Sequence, residues 1–338
     1  MRFPNGLKKG DKVGIIAPSG AANVEYIDLA IKNLRKEGFE VIEAPNIRNM
    51  EYLVSKSAKE RAEDFLNFFF DAEIKYIFSA RGGEFLVDII PFIHEKKDML
   101  KSIQNIKYFQ GYSDNSLLNI YLTTCYDIPT VNSSVVTDFC MDKYHESIQN
   151  ILDFMFLNKN DKFIQNNFNM YQIEEFEDRT KGYNLTEKVE YKLLNKNVKD
   201  VFVKGRILGG CLETIVQLIG TNFDNVANFC NECKEGIIWY IDIYEDNAPE
   251  IYRKLNHMKN ASWFNNVKAI LIGRTYGGAS LDKFDFKYAL NKALKDLNIP
   301  VIYDVDIGHV APQLTLVNGS LATIAYKNNA FKIIQEFI

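Results

Sequence analysis

The sequence predicts an α/β protein, with an N-terminal doubly wound domain built on a mostly parallel sheet and a second, C-terminal α/β domain. Short apolar runs of β type alternate with stretches of helical period through the first part of the chain. Strand and helix alternating at that spacing imply crossover connections and therefore parallel pairing, with helices on both faces. The pattern breaks in a polar, Asn- and Lys-rich stretch, 158–203, and then resumes. With 338 residues, the chain has mass enough for two cores. We divide it into a nucleophile domain (1–157), an inter-domain crossing (158–203) and a C-terminal domain (204–338) carrying an acid and a histidine.

The elements follow in order. An apolar run over 13–17 is stopped by Pro18-Ser19-Gly20, as a buried strand would be. Residues 24–37 repeat apolar side chains at helical spacing through Tyr26, Leu29, Ile31 and Leu34, and Gly38 follows as a C-cap signal. A second strand over 39–44 precedes a helix over 57–70, where Ser57 and Glu60 have capping-box spacing. The third strand, 74–80, runs into Arg81-Gly82-Gly83. A helix is expected over 84–92, a strand over 106–110, an amphipathic helix over 115–125 and a strand over 128–131. Within the crossing, 188–194 has β character. Organisation returns at Gly205-Arg206-Ile207-Leu208-Gly209-Gly210, followed by helices over 212–219, 249–258 and 284–297 and strands over 236–242, 267–272 and 301–304. The runs 314–317 and 321–326 flank Asn318-Gly319 and read as a hairpin, because Asn-Gly suits the backbone of a tight turn.

Composition narrows the function. A net charge of −4 and a pI near 5.7 give no reason to expect a nucleic acid or an anionic membrane as partner. The opening Met1-Arg2-Phe3-Pro4-Asn5-Gly6 lacks an apolar signal core, and no apolar run approaches bilayer length. The chain therefore reads as cytoplasmic. Five cysteines scattered through long apolar segments argue against a disulfide framework. Cys230-Asn231-Glu232-Cys233 has neither a second such pair nor a histidine at zinc-site spacing, so no metal is expected there.

The chemistry centres on Lys107-Tyr108-Phe109-Gln110-Gly111-Tyr112-Ser113-Asp114-Asn115-Ser116. A short strand, a sharp glycine turn and a helix are the parts of a nucleophile elbow, which lifts a hydroxyl clear of the sheet at a helix N-terminus. Taken alone, the stretch reads first as a helix cap at Ser113 or Asp114, since capping is far commoner than catalysis, and other parts of the chain must overturn that. Pro18-Ser19-Gly20, Arg81-Gly82-Gly83 and Gly111-Tyr112-Ser113 all fall at the carboxyl ends of strands, where such sheets collect ligands. Of four histidines, His94, His145 and His257 lie in polar helical surroundings and read as solvated. His309 sits in Asp306-Ile307-Gly308-His309-Val310-Ala311-Pro312, a loop between strands suited to a general base. Asp242 ends an apolar strand and could orient the imidazole, whereas Glu245, Asp246 and Glu250 could be helix-start acids. The backbone N–H of Asp114 and one from the Gly82-Gly83 turn could form an oxyanion hole. Neither Gly82-Gly83 nor Gly209-Gly210 has the spacing of a nucleotide-binding loop.

Together, Ile15-Ile16-Ala17-Pro18-Ser19-Gly20, Arg81-Gly82-Gly83, Gly111-Tyr112-Ser113-Asp114-Asn115, Gly209-Gly210-Cys211-Leu212, Ile238-Trp239-Tyr240-Ile241-Asp242 and Gly308-His309 resemble, in order, the motifs of the LD-carboxypeptidase family, which includes the microcin C immunity peptidases. The resemblance implies a cytoplasmic, homodimeric serine peptidase without metal or other cofactor. Ser113 would be the nucleophile, His309 the base, and Asp114 with Gly83 the oxyanion hole. The family's glutamate falls on Asp242, a departure from the pattern, and Asp242→Glu is then expected to keep or raise activity. Two substrate types are implied, a cell-wall muropeptide and an aminoacyl-nucleotide. Arg81, with Gly82 beside it, would anchor a free carboxylate; tying down its own loop is the other role for that arginine. Tyr171, Phe176, Tyr183 and Tyr191 could offer an aromatic surface for a nucleobase or could pack the domain seam.

Overall fold

Five parallel strands form the N-terminal layer of the computed structural model, which describes residues 1–195 and 198–338. In chain order the elements are β1 (Lys12–Ile16), α1 (Val24–Lys36), β2 (Glu40–Glu43), α2 (Ala58–Phe70), β3 (Ile74–Ser79), α3 (Ile90–His94), α4 (Lys97–Ser102), β4 (Tyr108–Gln110), α5 (Ser116–Tyr126), β5 (Thr130–Asn132) and α6 (Glu146–Met155). The strands lie in the order β5-β4-β3-β1-β2. Local chemistry sets the helix starts: Asn23 caps α1, and Ser57 with Glu60 closes a reciprocal capping box on α2. On α1, Ile27, Ala30, Ile31 and Leu34 fall on one stripe and are buried, as helical period requires. The helix expected over 84–92 is instead a 3₁₀ turn, Leu86–Ile89, followed by α3. Pro91 explains the break, since a ring without an N–H fits only the first turn of a helix.

The second layer is a mixed sheet. Its elements are β6 (Lys162–Asn166), β7 (Met170–Gln172), β8 (Leu185–Lys188), β9 (Lys192–Leu193), β10 (Asp200–Cys211), α7 (Leu212–Ile215), α8 (Val226–Glu232), β11 (Ile237–Asp242), α9 (Ala248–Asn260), β12 (Val267–Gly273), α10 (Phe286–Leu294), β13 (Val301–Val305), β14 (Leu316–Asn318), β15 (Leu321–Lys327) and β16 (Ala330–Glu336). The order is β6-β16-β15-β10-β11-β12-β13-β9, with β10 to β13 parallel and the flanking strands antiparallel. The crossing segment thus closes both edges of this sheet, through β6 and β9, while β7 and β8 make a separate ribbon. Gly205 to Gly210 lie within the continuous strand β10, and the expected helix after them is only α7 and a 3₁₀ turn.

Two expectations fail in ways that matter for the site. The Asn318-Gly319 turn exists, with Gly319 at φ +86°, but its flanking strands do not pair with each other. β14 adds antiparallel to β5 in the first sheet, and β15 pairs with β10 and β16 in the second. The turn therefore carries the chain from one sheet to the other. The helix after the elbow, α5, is buried nearly all round rather than amphipathic, because it lies between the layers and packs on both β5 and β10. Its contact with β10 is close: a Cβ at Gly210 would sit 2.5 Å from Ser116 Cβ. One apolar cluster runs from Phe65 and Leu118 through Leu212 to the stacked Trp239 and Trp263, joining the two layers. No helix among the described residues is long and apolar enough to cross a membrane.

Candidate active site

β4 ends at Gln110, and the chain turns so tightly that Ser113 has φ +60°. A non-glycine side chain pays of order 1–3 kcal/mol for that backbone, and it persists only where the surroundings impose it. They do so here. Asn115 Nδ2 donates to the carbonyls of Tyr112 (3.0 Å) and Arg81 (3.2 Å), and Asn119 Nδ2 donates to Gly111 (2.8 Å). Gly111 has no room for a Cβ, which would fall 2.8 Å from the Asn115 side chain. The Asp114 carboxylate accepts from the Ser19 hydroxyl and from the Leu86 N–H (2.8 Å), drawing the loops after β1 and β3 against the elbow. Arg61, buried, donates to the Pro18 (2.6 Å) and Phe85 (3.0 Å) carbonyls of the same two loops.

The loop after β13 brings His309 to Ser113. Nε2 lies 2.9 Å from Ser113 Oγ, while Nδ1 lies 3.1 Å from Asp242 Oδ1 and 2.9 Å from Oδ2. Asp242 is the last residue of β11 and is fully buried. A proton on Nδ1 satisfies that carboxylate and leaves the Nε2 lone pair facing the hydroxyl. The imidazole is held between Tyr112 and Tyr244, with ring centroids 5.2 and 4.5 Å away. Burial pulls the His309 pKa down, but the Asp242 charge and hydrogen bond, with Glu213 and Glu175 farther off, outweigh it and hold it above the ordinary value. Below the loop, the Asp306 carboxylate is fully buried and accepts from Arg274 (2.8 Å), the Tyr191 hydroxyl (2.7 Å) and the Phe168 N–H (2.9 Å).

These groups open on a cleft of about 860 Å³ between the two layers. Its walls include Arg81, Gly82, Gly83 and Asp114 from the first layer and Cys211, Glu213 and Tyr244 from the second. Gly82 lies directly against Ser113, since a Cβ there would sit 3.1 Å from Ser113 Oγ and 3.7 Å from Asp114 N. Gly83 packs on Ser19 and Gly20. Arg81 is exposed at the mouth, with Nη1 3.4 Å from the Ala21 carbonyl. From the crossing, Phe176 and Tyr183 line a recess beside His309 together with Arg179, which pairs with buried Asp138 (3.2 Å). Tyr191 and Tyr171 serve the packing instead: the first is bonded to Asp306, and the second lies under the Arg274 guanidinium at 3.9 Å.

Two histidines depart from the reading of the sequence. His94 and His145 are packed, not solvated. His94 Nδ1 lies 2.8 Å from the Tyr121 hydroxyl, and His145 Nδ1 caps α6 by accepting from Ser147 N (3.1 Å). Glu245 is exposed on the cleft wall, and Asp242 takes the position beside the imidazole. Glu213 was not singled out by pattern. Its Oε1 accepts from the N–H groups of Tyr244 (2.9 Å), Glu245 (3.2 Å) and Asp246 (3.3 Å), so it fixes the turn that carries Tyr244 onto the imidazole. A glutamate two residues past Gly-Gly-Cys carries no local signal of that role.

Two family descriptions match this chain, the LD-carboxypeptidase N-terminal domain over residues 13–133 and the LD-carboxypeptidase C-terminal domain over 204–324. The chain belongs to the LD-carboxypeptidase family. Among relatives of this family member, the microcin C7 self-immunity protein MccF of Escherichia coli is 25% identical, over 98% of this chain and 95% of that protein. The probable murein peptide carboxypeptidase of Bacillus subtilis is 24% identical, over 95% and 91%. The structure of MccF in complex with aspartyl sulfamoyl adenosine superposes with a TM-score of 0.81 at 21% identity, covering both chains completely (100% and 100%), and shares the two-domain fold.

Proposed function

We propose that this protein is a serine peptidase or amidase that cleaves an amide bond in a small peptide-like substrate, with Ser113 as nucleophile, His309 as base and Asp242 as the group that orients the imidazole. The observation that supports this most strongly is the unbroken series hydroxyl, imidazole and buried carboxylate at 2.9 Å and 2.9–3.1 Å, with the hydroxyl on a strained elbow. In the first half-reaction Ser113 Oγ attacks the substrate carbonyl as its proton passes to Nε2. The N–H groups of Asp114 and Gly83 receive the developing oxyanion, a contribution of about 10²–10³ in rate per donor. The protonated imidazole then gives its proton to the leaving amine. Water, activated by the same nitrogen, releases the acyl group and restores the serine.

Two of the relatives define the candidate substrates: a muropeptide, from the murein peptide carboxypeptidase, and an aminoacyl sulfamoyl nucleotide, from the ligand held by MccF. Arg81 at the mouth is the proposed anchor for a substrate carboxylate. The test is mass spectrometry of a cell-wall tetrapeptide and of aspartyl sulfamoyl adenosine after incubation with the protein and with Ser113→Ala. Cleavage of one by the parent alone, with fluorophosphonate labelling of Ser113, is expected. A protein that binds either compound, cleaves neither and resists the probe would instead be a binding protein on this scaffold.

A further inference from the structure

The acid end of the series has a feature that amide hydrolysis does not use. Cys211 and Asp242 end neighbouring parallel strands and are register partners, so their side chains emerge side by side. The Cys211 thiol, an Asp242 oxygen and a His309 ring nitrogen all lie within 4.8 Å of one another. Asp242 Oδ2 is completely buried and receives no aligned hydrogen bond, although Nδ1 stands 2.9 Å away. The thiol reaches Glu213 Oε2 at 3.2 Å, and Glu213 is itself pinned by three backbone N–H groups.

We propose that Cys211, Asp242 and His309 form an inhibitory binding site for a zinc ion. Thiolate, carboxylate and imidazole are a zinc donor set, and the thiolate disfavours magnesium and calcium. One thiolate and one carboxylate cancel the charge of the ion, so the buried assembly is neutral. Ligands on one tetrahedral zinc stand about 3.5 Å apart, so the widest gap must close by up to about 1.3 Å and the 2.9 Å Asp242–His309 contact must open by about half an ångström. Cys211 and His309 both line the cleft, which gives the ion a route in and a water for the fourth position.

The proton balance explains the inhibition. Binding expels the thiol proton to solvent. Zinc takes the Nδ1 lone pair, so the proton formerly on Nδ1 moves to Nε2. His309 then presents an N–H to Ser113 and cannot accept its proton. This consequence rests on the proposed role of His309 as base, whereas the ion site itself does not.

The experiment therefore measures binding apart from turnover. The whole chain, and separately its Ser113→Ala variant, is dialysed against Zn²⁺ and against Co²⁺. Expected are one bound equivalent of zinc in both proteins and a thiolate-to-cobalt charge-transfer band in the near ultraviolet. Cys211→Ser, with its fold checked by circular dichroism, should lose the band and weaken zinc binding at least about tenfold. The band should survive in the Cys230→Ser/Cys233→Ser double variant, which removes the other cysteine pair. Absence of the band from the unaltered protein, its loss in the double variant, or zinc binding indifferent to Cys211→Ser would each overturn the proposal. Stoichiometric, Cys211-dependent binding to a protein that, freed of zinc, hydrolyses neither candidate substrate and resists the fluorophosphonate probe would uphold the site and reject the catalytic reading instead.

Discussion

The Cα of Gly308 rests on the carboxylate of Asp242: a Cβ at position 308 would fall 1.7 Å from Oδ1 and 2.1 Å from Cγ. Gly308 also has φ +87°, which L side chains rarely adopt. The glycine before the histidine thus makes the space in which the acid reaches the ring. Gly308→Ala should push the two apart by an ångström or more and cost on the order of 10²-fold in kcat, because displacement of that size is felt steeply in proton transfer. Steady-state kinetics beside a thermal melt check this. Parent kcat in a folded Gly308→Ala protein would show that the contact is not what sets the acid.

The same contact reverses an expectation drawn from the family pattern. Seen from the sequence, Asp242→Glu restores the family residue and should keep or raise activity. In the structure the shorter acid already lies 2.9 Å from Nδ1, is fully buried, and has Gly308 against it. An added methylene must displace the imidazole or the loop, and overpacking of a filled site costs typically 1–3 kcal/mol. We expect Asp242→Glu to lower kcat by about tenfold or more, with a lower melting temperature. Gain of activity would mean that the loop yields more readily than the packing implies.

Much of this site was legible in the chain because its parts are local. Ser113 follows a strand and a glycine, and His309 stands in a loop rather than on a helix face. What pattern could not supply is what two distant segments do to each other. The buried character of α5 follows from a second sheet lying on it, and the Asn318-Gly319 turn fails as a hairpin because β14 finds β5, far back in the chain. His94 and His145 look solvated by their neighbours in sequence, yet Tyr121 and Phe223 pack on one, Phe168 and Tyr183 on the other. Glu213 and Gly308 act through residues some thirty to seventy positions away, which no local window contains.

His309 gives the pH dependence its sign. Its pKa in the folded protein is raised, so the neutral imidazole that the proposed mechanism needs forms only above the ordinary histidine value of about 6.5. The acid limb of kcat/KM is therefore expected above that pH, with activity rising as the ring loses its proton. The linked stability runs the other way: the contribution of the Asp242–His309 pair is complete below the unfolded pKa and is lost as pH rises through the folded one. Asp242→Asn removes the charge that raises the pKa and leaves burial, which lowers it. The limb should move to lower pH while the rate falls by as much as about 10⁴. A limb unchanged in Asp242→Asn would assign the titration to another group.

Arg274 supplies the last prediction. Its guanidinium donates to Asp306 Oδ1 (2.8 Å) and to the Asp304 carbonyl (3.1 Å), and it covers the Tyr171 ring. Both partners are buried, with side chains 8% and 0% exposed, so removing the cation leaves a carboxylate without its countercharge inside the protein. Breaking such a pair from one side costs about 3–5 kcal/mol, much more than losing a surface ion pair. Arg274→Met should therefore unfold at clearly lower temperature or denaturant concentration. Arg274→Lys should recover only part, since an ammonium lacks the planar fork that serves two acceptors and stacks on a ring. The Asp306 backbone accepts from Leu314 N (2.7 Å), so the loop that carries His309 is anchored at the same residue. Loss of the pair should thus lower kcat even at temperatures where the variant is folded. A variant as stable and as active as the parent would show that the Tyr191 and Phe168 donors to Asp306 suffice alone.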